Sequence, residues 1–241
     1  MAADEIRNAL AFVTSGYSSY SSCRQYLQNI SDAQAAVGPD APRVEKLRVF
    51  YKHPLFIEAN VDHIRAALNQ LDEPASAHLV FTAHSIPVAM AGADRYRAQL
   101  TESARLVAAR LGSVNWALVF QSRSGRPEDP WLEPDVCDYL RAERSNGLEA
   151  AVLCPIGFVC DHVEVLYDLD HEAAAVCREV GLTMVRAEAV NDDPRFLDTM
   201  AGAVMQTWNR YRSGIPLSLA PVSPPTRVEG PPPFRSAPPA G

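Results

Sequence analysis

Short apolar runs rich in Val, Leu and Phe recur along the chain, separated by longer segments whose apolar positions follow helical spacing. The run LAFVT is followed by a helix-like stretch from Tyr20 to Ala36 and then by VEKLRVFY. A helix from Ile57 to Leu71, the strand HLVFTA, a helix from Asp94 to Leu111 and the strand WALVF continue the series. A short helix from Pro134 to Arg144, the strand AAVLC, a helix from Val163 to Val180, the strand LTMVRAE and a last helix from Pro194 to Arg212 complete it. Alternation of strand and helix predicts an α/β fold: a mostly parallel sheet with helices on both faces.

Beyond Ser213 the pattern stops. Prolines stand at 216, 221, 224, 225, 231, 232, 233, 238 and 239 among few large apolar residues, a composition that buries too little to offset its ordering entropy. The expected organisation is an α/β body over residues 1–188, a C-terminal helix over 189–212 and a Pro-rich disordered tail over 213–241.

At 241 residues with 47% apolar content, the chain is long enough for a sizeable core. A formal net charge of −7 offers no electrostatic footprint for nucleic acid. The start AADEIRNAL lacks a basic region followed by an apolar one, and no stretch approaches the roughly 20 apolar residues of a transmembrane segment. A cytoplasmic protein is expected. Its five cysteines are an odd number with no repeated close pair, so neither a disulfide framework nor a zinc ribbon is suggested and reduced thiols are expected.

Ligands of open α/β sheets bind beyond the carboxyl ends of the strands. Polar residues follow four of the predicted strands: Ser15 and Tyr17; His84 and Ser85; Gln121, Ser122 and Arg123; Gly157 and Asp161. These four loops are expected to share one edge. His84 stands where an apolar strand stops, with Pro87 turning the chain soon after. Such a histidine either points into a cleft or simply bonds a neighbouring carbonyl.

The segment DHVEVLYDLDHEAAAV spaces Glu164, Asp168 and Glu172 four residues apart, close to one helical face. Like charges at that spacing repel, so they call for a cation or for open solvent. A second reading is a solvated helix face with Asp161 as N-cap and Glu164 as its capping-box partner. Imidazole and carboxylate together suit a divalent ion such as ferrous iron, and the imidazole can also take protons from a substrate.

FTAHSIP, FQSRSGRPEDPWLEPD and CPIGFVCDHVEVLYDLD resemble three signature regions of the ferrochelatases, in the family's order. TSGYSSYSSCRQY further resembles the actinobacterial branch, which inserts ferrous iron into coproporphyrin III. The resemblance runs from about Leu10 to Trp208. It implies a chelatase-like, Rossmann-type parallel sheet. It also implies ferrous iron as substrate and coproporphyrin III or a related porphyrin as its acceptor. His84 is then the proton acceptor or metal ligand, and Glu164 the carboxylate facing it. Asp168 and Glu172 extend the metal path outward from a helix that opens with a π-type turn. Tyr26 and Trp131 become the porphyrin contacts.

The same resemblance implies two departures. The family carries an amino-terminal domain that forms one wall of the porphyrin cleft, and Met1 falls near the start of the second domain. Either another chain or an upstream start that this sequence omits supplies that wall, or this chain is an inactive fragment that retains metal binding. Actinobacterial relatives often hold a 2Fe–2S cluster, of whose cysteines only Cys23 is matched, so no cluster is expected.

Overall fold

Two short parallel strands, β1 (Asn8–Ala11) and β2 (Arg43–Lys46), flank helix α1 (Gln25–Val37) at the start of the chain. Helix α2 (Pro54–Leu68), β3 (His78–His84), α3 (Ala93–Leu111), β4 (Trp116–Gln121), α4 (Val136–Ser145) and β5 (Ala150–Cys154) follow. A single turn, α5 (Val163–Val165), runs into a π-segment (Leu166–Ala173) and α6 (Ala174–Val180); β6 (Thr183–Arg186) and α7 (Pro194–Arg212) close the fold. This computed structural model describes residues 1–20, 24–113, 115–126 and 128–213, so the Pro-rich tail lies outside the described residues. Among the described residues, no helix is long and apolar enough to cross a membrane.

The predicted elements occur in the predicted order, but their strands form two sheets. β1 pairs with β2 alone, while β3 to β6 form an all-parallel sheet in the order β4-β3-β5-β6. The run VEKLRVFY stays extended only to Lys46: after Leu47 N–H donates to Ala11 O, Phe50 turns inward. There it stacks on Phe12 with ring centroids 5.6 Å apart and meets Phe56 edge-on. Burying such a ring stabilises the fold by about 1.5–3 kcal/mol, which outweighs continuing a two-strand ladder.

Strand parity sorts the four-stranded sheet into two cores. Leu79, Phe81, Ala83 and Phe120 face α2 and α3, whereas Val80, Ala117, Val119 and Leu153 face α4, the π-segment and α6. Helices therefore cover both faces, as a parallel sheet requires. Thr82, His84 and Gln121 share the parity of the second set, and His84 and Gln121 are register partners.

The π-segment has a sequence basis. Val165, Leu169, Ala173 and Cys177 are all buried in the second core at strict four-residue steps. In an α-helix each such step drifts by about 40°. A wider i→i+5 winding turns less per residue, so it keeps Leu169 and Ala173 in line with Val165 against the sheet, and the last step to Cys177 is made in α6. The acids Glu164, Asp168 and Glu172 precede these residues by one position each, so the same winding lines them up on the neighbouring stripe.

Helix α7 packs its first turns on this body. Phe196 joins Phe50 and Phe56, and Arg195 pairs with Asp62 of α2. Leu197, Met205 and Trp208 of α7 are exposed.

Candidate functional site

In the order β4-β3-β5-β6, the chain leaves β3 towards β4 and then returns to place β5 on the other side. The crevice beyond the ends of β3 and β5 is a topological switch point, the preferred ligand position in open parallel sheets. His84 ends β3, and the loop after β5 leads into Glu164. The loops after β3, β4 and β5 thus share one edge, as expected. The loop at Ser15–Tyr17 follows the separate sheet and reaches the others by its side chain: the buried Tyr17 hydroxyl donates to Ile156 O at 2.9 Å.

The loop after β5 approaches β3 closely. Gly157 N–H donates to Thr82 O at 3.0 Å, and a Cβ at Gly157 would lie 2.5 Å from Ala83 Cβ. Only glycine fits there.

His84 is half-buried, with Nδ1 against Ser85 O. A carbonyl only accepts, so Nδ1 carries the proton and Nε2 is the basic nitrogen. The simple carbonyl contact is therefore present, and it equips the ring as a proton acceptor. Around it, Tyr96 donates to His84 O at 3.1 Å and Ser85 N–H to Gln121 O at 2.8 Å.

Glu164 sits in the first turn of α5 with half of its side chain exposed. The capping-box reading does not hold: His162 is the N-cap, its Nδ1 accepting from Glu164 N–H, because Asp161 is engaged by Arg186 and Asn191. Asp168 is drawn to the end of β4, where Gln121 Nε2 donates to its Oδ2 at 3.2 Å and Ser122 Oγ donates to the same oxygen. Glu172 shares with Asp168 a polar cavity of about 350 Å³, lined also by Gln121, Ser122, Asp135, Cys137 and Arg141.

His84, Glu164, Asp168 and Glu172 do not close around one point. Among the described residues no three His, Cys, Asp or Glu side chains are gathered closely enough to hold an ion. The link between His84 and the acids is Gln121, beside His84 in the sheet and bonded to Asp168. Gln121 is 1% exposed, and its Oε1 is buried without a hydrogen-bond partner among the described residues.

Trp131 lies beside the His84 loop. Its neighbours pair with that loop through Val88 N–H to Pro130 O and Leu132 N–H to Ile86 O, both 2.9 Å, and its ring packs against Gly125. Its indole N–H is buried with no acceptor among the described residues. Tyr26 is 48% exposed on α1, a helix that buries none of its residues. Cys23 lies outside the described residues.

Asp135 and Cys137 were missed in the sequence. Burial holds the Asp135 carboxyl above its usual range, with Asp138 and Asp168 adding to the effect and two backbone cap bonds opposing it. Burial, then Asp135 and Glu172, push the Cys137 thiol up to about 12. The available signal was Asp135 at the N-cap of α4, immediately after the Trp131 loop.

The ferrochelatase family profile matches residues 1–208. A ferrochelatase of Rhodopirellula baltica is 50% identical over 208 residues, covering 86% of this chain and 59% of its own length. Coproporphyrin III ferrochelatases of Nocardia farcinica and Mycolicibacterium smegmatis are 49% and 45% identical, covering 81% and 97% of this chain and 58% and 66% of their own lengths. Among solved structures, the sirohydrochlorin chelatase SirB of Bacillus subtilis subspecies spizizenii, in complex with cobalt, shares the fold. It superposes with a TM-score of 0.59 at 10% identity, over 88% of this chain and 74% of its own. The chain spans about three-fifths of the length of the curated relatives it matches, and within that span the profile match and the identities agree: it belongs to the ferrochelatase family.

Proposed function

We propose that this chain carries the metal-handling side of a porphyrin metallation reaction, in which ferrous iron enters coproporphyrin III or a closely related porphyrin. The observation that carries the reading is the placement of His84 and the acid-bearing segment on the two sides of one switch-point crevice. Inserting a dication into a porphyrin releases two pyrrole protons, so the site needs a base and ligands that surrender the metal readily. His84 Nε2 is the proton acceptor and a ligand of the incoming iron. Glu164 faces it as carboxylate ligand and proton carrier. Asp168 and Glu172 pass the hydrated ion inward along the stripe, and carboxylates strung out in a row suit transfer better than a closed cage. Trp131 and Tyr26 contact the porphyrin, and a polypeptide equivalent to the family's amino-terminal domain supplies the opposite wall. The setting of this chemistry is the cytoplasm.

A second reading is a module that binds metal without clamping porphyrin, in keeping with the exposed position of Tyr26 on α1. One anaerobic experiment separates the two. The chain is mixed with ferrous iron and coproporphyrin III while loss of porphyrin fluorescence is followed, and ferrous-iron binding is titrated in parallel. Turnover that falls about 100-fold or more in His84→Ala and Glu164→Gln supports the chelatase reading. Iron binding lost in both variants, with no turnover by the parent chain, supports the module. Neither turnover nor iron binding would overturn both.

A further inference from the structure

Residues 161–172 carry five carboxylates in twelve positions: Asp161, Glu164, Asp168, Asp170 and Glu172. The structure divides them into two groups. Arg186, the last residue of β6, sends its guanidinium under the segment with the side chain 13% exposed. Nε and Nη2 donate to the two oxygens of Asp170 at 2.7 and 3.0 Å, a fork-on-carboxylate pair. Nη1 donates to Asp161 Oδ1 at 2.8 Å. One cation thus holds the residue just before the N-cap of the first helical turn and a residue in the middle of the π-segment.

The Asp161 end is bonded further into the chain after β6. Ala189 N–H donates to Asp161 Oδ1 at 3.2 Å, Asn191 Nδ2 donates to Oδ2 at 3.0 Å, and Asp161 N–H donates to Asn191 Oδ1 at 2.9 Å. Asn191 N–H closes the ladder onto Val159 O at 3.0 Å. Glu164 and Asp168 lie between the two points that Arg186 grips, and Glu172 lies two residues beyond the second.

We propose that Arg186 is a positioning residue for the metal-handling stripe: by holding Asp161 and Asp170, it fixes the π-segment so that Glu164, Asp168 and Glu172 are presented to the incoming ion. This rests on the iron-handling reading of the stripe given above. The two acids that Arg186 takes up share its single positive charge, and the three it leaves are the ones a dication would meet. An ammonium cannot reproduce a fork on one carboxylate together with a third bond to another, so lysine is not a conservative replacement here.

The test uses the full chain with Arg186→Lys and with Asp170→Asn, the latter a mild change at a half-exposed acid that leaves the core intact. Hydrogen exchange is followed by mass spectrometry over peptides covering residues 161–173, 78–84 and 116–121, and binding of Co²⁺ as probe is titrated. Both variants are expected to exchange about tenfold faster in 161–173, with the two strand peptides unchanged. Co²⁺ affinity should fall roughly tenfold. The Asp168→Asn change should cost less in the Arg186→Lys background than in the parent chain, since a displaced stripe has less to lose. Unchanged exchange in 161–173, or a rise spread evenly over all three peptides, overturns the proposal. So does local loosening with full Co²⁺ affinity. Should the parent chain bind no Co²⁺, the iron-handling reading fails, and with it the positioning role, while the exchange comparison still shows whether the clamp exists.

Discussion

Gln121 reaches Asp168 across the cleft, its Nε2 donating to Oδ2 at 3.2 Å and joining the end of β4 to the π-segment. Ser122 adds a second donor to the same oxygen. Its backbone is in the left-handed region, φ 59°, which costs a residue with a Cβ about 1–2 kcal/mol. The bond to Asp168 helps to offset that cost. Ser122→Ala keeps the backbone cost and loses the bond, so it should destabilise the chain by about 1–2 kcal/mol. Ser122→Gly loses the bond but removes the backbone cost and should be close to neutral. Urea denaturation of the two variants checks the difference; equal losses would mean that the left-handed backbone carries no cost here.

Gly157 allows a prediction that depends on close approach alone. An added methyl group would meet Ala83 at both Cβ and Cα, at 2.5 and 2.6 Å, and the backbone of a central strand cannot yield as a flexible side chain would. Gly157→Ala should cost about 1–3 kcal/mol as overpacking. Thermal melting should record roughly 2–4 °C for each kcal/mol. Because Gly157 lies across β3 from the approach to His84, turnover or metal affinity should fall by more than the stability loss explains.

The order of elements was legible because strand-like and helix-like runs alternate, and their composition differs enough to be told apart. That His84 ends a strand and Glu164 opens a helix was legible from the apolar runs around them. The split into two sheets was not, since the residues of a strand do not name its partner: LAFVT and HLVFTA read alike, yet only the second enters the four-stranded sheet. Asp161 shows another limit. Its D-x-x-E spacing to Glu164 suits a capping box, but the better partner was Arg186, 25 residues further on and adjacent only after folding. The π-segment was implied by resemblance, and the four-residue apolar steps from Val165 to Ala173 are consistent with it.

His78 makes stability depend on pH. The ring lies at the start of β3 with Nε2 2.8 Å from the Tyr139 hydroxyl, and burial lowers its pKa from the ordinary value, with Glu143 opposing in part. A lowered histidine pKa means that the unfolded chain binds the proton more readily than the folded one. Stability from this group is therefore complete above the unfolded pKa near 6.5 and is lost as pH falls through the window below it. The slope is at most about 1.4 kcal/mol per pH unit for one group. His78→Gln, which retains an acceptor for Tyr139, should flatten the curve between about pH 6.5 and pH 5, above most carboxylate titrations. Denaturation midpoints measured across that range would show an unchanged slope if His78 plays no part.

The cysteines bear on whether the chain carries a cluster. Thiolates, not thiols, ligate an iron–sulfur centre. Burial pushes up Cys154 and holds Cys177 at about 11, while Cys137 reaches about 12 from burial and neighbouring acids. Cys160 is the exposed one of the four described, and no three potential ligands gather among the described residues. With Cys23 the only residue matching the family's cluster-bearing segment, the chain purified without oxygen should show no sulfide-to-iron charge-transfer absorption and release essentially no acid-labile sulfide. Near-stoichiometric sulfide would overturn this and would require ligands from elsewhere, such as a second chain meeting Cys23. Cys23→Ser should then remove the absorption, whereas in a cluster-free protein it should change neither spectrum nor stability.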